Sequence, residues 1–233
     1  MCFNPLVTWT TAGLGLSVGL IAKAKKKPST LYLPPIYFGL MEVLQGLMYM
    51  QLPKASPLII NILVYTAYLH VCFQPLVINY WLGSFISDKK RDNYRFTLKL
   101  CFIGGLLLLT RVFVIGDIPL CSSFESLCSA TPKVYSGIYH IAWSLPLTAA
   151  GWNYITPSIA LHMFLFFMPG VLLGFYRLMA LFFILGPYLS SFITPNPSEQ
   201  SSIWCVMGLW LLTVTIFTSF YHLLRFLLPQ ENR

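Results

Sequence analysis

Tyr68-Leu69-His70-Val71-Cys72-Phe73-Gln74-Pro75 lies inside an apolar run that extends over residues 58–85. A run of that length crosses a bilayer as a helix. It carries an imidazole and an amide four residues apart, and residues four apart share one helix face. Polar groups at that depth cost free energy unless they are paired. Pro75 has no N–H, so the carbonyl of Val71, four residues upstream, loses its helical partner and a kink is expected. Two further polar groups, Glu42 and Gln45, sit on the preceding apolar segment, and His162 sits on a later one.

The composition sets the class. The chain of 233 residues is 57% hydrophobic and 9% charged, with a mean hydropathy of +0.71. A soluble domain carries about 25% charged residues, so the expected surroundings of this chain are a lipid bilayer. Its polar stretches are all far shorter than a domain, which predicts one helical domain over residues 1–233. The net charge of +8 falls in short loops between apolar segments. That pattern is one of membrane orientation and excludes a nucleic-acid partner. Met1 to Ala22 lacks a basic region ahead of its apolar run and reads as a first span, not a signal peptide.

Seven spans are expected, at about residues 5–22, 31–51, 58–85, 96–115, 155–176, 178–193 and 203–224. Gly13, Gly15 and Gly19 give span one small-residue spacing for close helix contact. Pro34-Pro35 is placed in the first turn of span two, where proline is tolerated. With the N-terminus outside and the C-terminus cytoplasmic, twelve of the fifteen Lys and Arg residues lie on the inner side. Only Lys54, Arg111 and Lys133 lie outside, as the positive-inside rule requires. Val134 to Tyr154 is apolar and aromatic but interrupted by Gly137, Pro146 and Gly151. As an eighth span it would move Arg177, Arg225 and Arg233 outside, so it reads as a re-entrant or surface segment packed on protein. The localisation implied is an integral membrane protein of the plasma, or bacterial inner, membrane. No internal repeat is present, which argues against a repeat-built transporter. Oligomeric state is not legible.

On this topology Cys2, Cys121, Cys128 and Cys205 all lie at the outer face, where disulfides persist. Cys121 with Cys128 closes a short loop, and Cys2 with Cys205 would tie the N-terminus to span seven. Free thiols at Cys2 and Cys205 are the alternative. Arg111 is expected to snorkel or to pair with Asp117.

Counting residues from the outer span ends places Glu42, Gln45, His70 and His162 at depths of roughly 10 to 18 Å, at 1.5 Å per helical residue. One outward-opening cluster is therefore expected, joined by Gln74 and covered by His140 and Trp143. Three uses compete. His70, His140, His162 and Glu42 suit a divalent metal, and a metal-bound water would make a membrane enzyme acting on a lipid. Glu42 with His70 suits a proton-coupled carrier or sensor. The third use is structural: Glu42 held by Gln45, Gln74 or a tyrosine, fixing helix packing.

Seven spans are shared with rhodopsins and G-protein-coupled receptors, but span seven has no lysine, so a retinal Schiff base has no anchor. Alkaline-ceramidase-like hydrolases carry a His-x-x-x-His pair, which no histidine here forms. The chain instead resembles a family of multi-pass membrane proteins of unknown function, known mostly from bacterial genomes. The matching residues are Met1-Cys2, Tyr37 to Gln45, Tyr68 to Pro75 with Ile78-Asn79, Cys121, Cys128, His140-Ile141-Ala142-Trp143, Pro146-Leu147, Gly186-Pro187 and Trp204-Cys205. Where that family often has an acidic residue after the tryptophan, this chain has Ser144. The resemblance implies the architecture and no activity.

Overall fold

The computed structural model describes residues 4–52, 56–113, 121, 127–149 and 158–216. Helix α1, Pro5–Ala24, starts at Asn4, whose side chain accepts the Val7 N–H at 3.0 Å while Pro5 occupies the first helical position. Helix α2, Ser29–Gln51, begins upstream of the expected span. Pro34 and Pro35 therefore lie in its second turn, not its first. The carbonyls they leave unbonded belong to Thr30 and Leu31, close to the helix end, where this defect is cheapest. Helix α3, Pro57–Leu82, runs on as a tight turn to Phe85. Helix α4, Arg91–Leu109, opens with charged residues, with Asp88–Arg91 and Asp92–Arg95 ion pairs at 2.8 and 3.7 Å.

Residues 133–144, between α4 and the next helix, are not helical. They form an antiparallel hairpin of β1, Lys133–Ser136, and β2, Ile141–Ser144, with Val134 opposite Trp143. Gly137 and the following residues make its turn. Every residue of β2 is buried, and Ile141, Trp143, Leu145 and Leu147 join the same apolar core as Met41, Met48, Val71 and Cys205. The hairpin is thus packed on protein, the only way such a backbone is satisfied in apolar surroundings.

Helix α5, Ile159–Leu172, ends at Gly174, whose φ of 97° makes the turn a side chain would strain. Helix α6, Tyr176–Phe183, passes without a break through a π-helical turn, Ile184–Tyr188, into α7, Leu189–Ile193. Pro187 lies in that turn, and proline is one cause of such widening. Helix α8, Pro197–Ile216, closes the described chain.

Three stretches, Pro5–Ala24, Pro57–Phe85 and Tyr176–Ile193, are long and apolar enough to cross a membrane, and Ile159–Leu172 is a shorter apolar helix. Large apolar side chains face outward on most helices, among them Leu6, Leu20, Leu40, Phe102, Leu172 and Phe192. Inside, the α1–α2 crossing is set by glycine. A Cβ on Gly15 would meet the Gly39 backbone at 3.0 Å, and one on Gly19 would meet the Tyr32 carbonyl at 2.9 Å. Gly13, expected at the same contact, faces open space. Trp9 covers Gly46, so α1 and α2 run antiparallel. Leu209 packs on Gly15 and Gly208 lies beside Phe38, while Glu199 sits at the Tyr49 end of α2 through His140. Helix α8 is therefore antiparallel to α2 and parallel to α1.

Candidate functional site

The Pro75 turn of α3, where the bend is expected, is the hub of the bundle. Val71 O, which Pro75 leaves without a helical donor, lies 3.1 Å from His162 Nε2 of α5. A carbonyl only accepts, so Nε2 carries the proton and Nδ1 is the bare nitrogen. The neighbouring His70 O accepts the Tyr37 hydroxyl of α2 at 2.5 Å. Asn79 Nδ2 donates to Pro75 O at 2.8 Å and to Leu165 O at 3.0 Å. Side chains from three helices thus bind the bent turn.

Beside the bend lies a cavity of about 430 Å³, lined among others by Gln74, Leu127, His162, Gln200, Ser201 and Trp204. Its wall is mainly apolar and aromatic with a few polar groups, the usual make-up of a small-molecule site. Leu127 reaches it from a left-handed backbone conformation, φ 66°, held by the Leu145 N–H bonding Leu127 O at 2.9 Å and by the Cys121–Cys128 disulfide next to it. A left-handed leucine is strained and persists only where its surroundings hold it. His162 Nδ1 is buried and has no hydrogen-bond partner among the described residues.

Among the described residues the three expected histidines lie in three separate places. His70 stacks on Tyr37, with ring centroids 3.7 Å apart, and faces a groove of about 500 Å³ between α2 and α3, lined by Leu40, Thr66 and Phe73. His140 lies in the hairpin, 3.0 Å from the Tyr49 hydroxyl, and its Nδ1 accepts the Ile141 N–H at 2.8 Å. His162 lines the cavity. Among the described residues no three His, Cys, Asp or Glu side chains are placed to share a metal ion. The expected depths aligned His70 with His162, but the faces they occupy on their helices separate them. Glu42 is not held by Gln45 or Gln74 either. Gln74 Nε2 donates to Cys205 Sγ at 3.1 Å, and Glu42 and Gln45 are fully buried with no hydrogen-bond partner among the described residues on their side-chain oxygens and nitrogen.

Cys121 is joined to Cys128. Cys205 is a free, buried thiol in the core of α8, and its proposed partner Cys2 lies outside the described residues. Arg111 is buried rather than snorkelling. Its Nε and Nη2 donate to Thr148 O at 3.0 and 2.8 Å, and Thr148 N–H donates to Arg111 O at 2.9 Å. The end of α4 is thereby fastened to the chain leaving β2. Asp117 lies outside the described residues.

A second fastening went unread in the sequence. Glu199, in the first turn of α8, is fully buried. Its Oε1 accepts the backbone N–H groups of Tyr139 and His140 in the hairpin turn, and its Oε2 accepts the Thr194 hydroxyl at 2.6 Å. Asn196-Pro197-Ser198-Glu199 has the spacing of a capping box, in which the glutamate bonds back to its own helix start. Here Asn196 Oδ1 takes the Ser198 N–H at 3.1 Å, and Glu199 reaches across to the hairpin instead. Burial lowers the His140 pKa from 6.5 to about 4, and the nearby Glu199 carboxylate acts in the opposite direction.

Fold and site together define a helical bundle plugged by a disulfide-stapled β-hairpin, with a cavity at the bend of its central helix. The chain belongs to a family of unknown function, DUF5765, whose model matches residues 6–225. No curated protein and no solved structure matches it.

Proposed function

We propose that the protein is a multi-pass integral membrane protein of seven helical crossings that binds a small amphiphilic molecule in the cavity at the α3 bend. Three features support the membrane reading. Outward-facing apolar side chains surround the helices, basic residues gather in the loops of one side, and α1 runs parallel to α8, as the first and seventh crossings of an alternating bundle must. An outer N-terminus puts the Cys121–Cys128 bridge on the oxidising side, consistent with its formation.

The binding reading is carried by His162. Its Nε2 is fixed on Val71 O, and its buried Nδ1 remains as an acceptor beside a mainly apolar cavity. A ligand hydroxyl or amide N–H satisfies that nitrogen while its apolar part lies against Trp204, Pro187 and Ile159. A bromine-labelled medium-chain alcohol added to purified protein should quench the emission of Trp204. That part of the signal is the difference between wild type and Trp204→Phe. Quenching equal in the two proteins, and unaffected by His162→Phe, would contradict the assignment.

A further inference from the structure

Five fully buried side chains leave polar atoms without a hydrogen-bond partner among the described residues in one region of the bundle: Thr8, Glu42, Gln45, Trp143 and Ser202. Helix geometry puts them in one layer. Gly15 of α1 lies against both Gly39 of α2 and Leu209 of α8. Seven residues, two turns, along each helix in the shared direction are Thr8, Gly46 and Ser202, with Gln45 adjacent to Gly46 and Glu42 one turn nearer. Trp9 packed on Gly46 fixes the α1–α2 register at this level. On α8, Cys205 lies within electrostatic range of Glu42. Trp143 comes in from β2, in the same core as Met41, Met48 and Cys205.

Buried polar atoms in folded proteins nearly all have partners, so such a concentration calls for an occupant. The set is rich in oxygen: two from Glu42 and one each from Thr8, Gln45 and Ser202. Hydroxyls able to donate to the carboxylate do not do so. Oxygen donors that leave one another unbonded are the arrangement hard cations use. The charge balance selects the valence. The layer holds one carboxylate. A second buried carboxylate, Glu199 of α8, lies one turn from Ser202 and is taken up by the N–H groups of Tyr139 and His140 and the Thr194 hydroxyl, and the buried guanidinium of Arg111 bonds to Thr148 O. A divalent ion would leave a net positive charge in an apolar core, whereas a monovalent ion leaves none. We propose that Thr8, Glu42, Gln45 and Ser202 bind one dehydrated monovalent cation, sodium, between α1, α2 and α8. This site is independent of the ligand cavity, from which Gln74 and Cys205 separate it.

The test is thermal unfolding of purified wild-type protein in sodium chloride against choline chloride at constant ionic strength and pH. Sodium should raise the midpoint by a few degrees for each tenfold increase above its dissociation constant. The rise should be absent in Glu42→Gln and weakened in Ser202→Ala. Superimposed sodium and choline curves for the wild type would overturn the site without recourse to any variant. A sodium effect unchanged in Glu42→Gln would also overturn it.

Discussion

His162 Nε2 binds the one carbonyl of α3, that of Val71, that Pro75 has released from the helix ladder. The two residues are 87 positions apart and complement each other: the proline creates an unsatisfied acceptor and the histidine supplies its donor. Removing the donor alone should be costly, because an unpaired buried carbonyl costs about 1–3 kcal/mol. His162→Phe is therefore expected to lower the unfolding midpoint. Pro75→Ala restores a backbone N–H four residues from Val71, so Pro75→Ala/His162→Phe should lose less than the sum of the single changes. Additive losses in the double variant would refute the pairing.

The α1–α2 crossing gives a sharp contrast among three glycines. Gly13→Leu should be nearly silent, since nothing lies within 4 Å of its Cβ position. Gly19→Leu has the Tyr32 carbonyl and Ile36 in its way and should destabilise by about 1–3 kcal/mol through overpacking. Thermal unfolding of the two variants in one detergent decides. Equal midpoints would contradict the crossing as described.

Glu199 holds the hairpin turn through two backbone N–H groups. Glu199→Ala leaves both donors unpaired, at about 1–3 kcal/mol each, and should open the hairpin to protease ahead of global unfolding. Glu199→Gln keeps an oxygen acceptor and should retain most of the protection. Protection unchanged in Glu199→Ala would show that the disulfide and the Arg111–Thr148 fastening hold the hairpin alone.

His140 makes the same region acid-sensitive. With its folded pKa depressed to about 4 from 6.5, the imidazole is neutral in both states above about pH 6.5 and its contribution is then fully present. As the pH falls towards 4 the unfolded chain takes up a proton that the folded one refuses, and stability is lost by on the order of 2–3 kcal/mol. The groups facing the ring are the Tyr49 hydroxyl and the Ile141 N–H, with Glu199 beside its backbone. In His140→Asn, whose side-chain oxygen can accept from Ile141, this part of the acid loss should vanish. An identical pH profile in the variant would contradict the assignment to His140.

Much of the architecture was legible because it rests on local rules. Pro75 predicted the released Val71 carbonyl, Gly15 and Gly19 predicted a close crossing, and a separation of seven positions was enough to suggest Cys121 with Cys128. The site was legible only as a set of depths. Glu42, Gln45, His70 and His162 were placed at similar depths, but rotation about each helix axis decides which side chains meet, and it is fixed by packing that a single sequence does not display. Glu199 was hidden for another reason. Its capping-box spacing offered a sufficient local role, and its true partners, the N–H groups of Tyr139 and His140, lie about sixty positions upstream. The hairpin was hidden by its turn glycine and by the burial of β2 on both faces, which reads as an interrupted apolar helix.

The central claim is that the cavity at the α3 bend binds one small amphiphile. Native mass spectrometry of the purified protein with the bromine-labelled alcohol tests it most directly, with Ser201→Phe filling the cavity and Thr66→Phe filling the α2–α3 groove. The account predicts one equivalent retained by the wild type and by Thr66→Phe, and none by Ser201→Phe. Retention by Ser201→Phe with loss in Thr66→Phe would place the binding site in the groove and contradict the account.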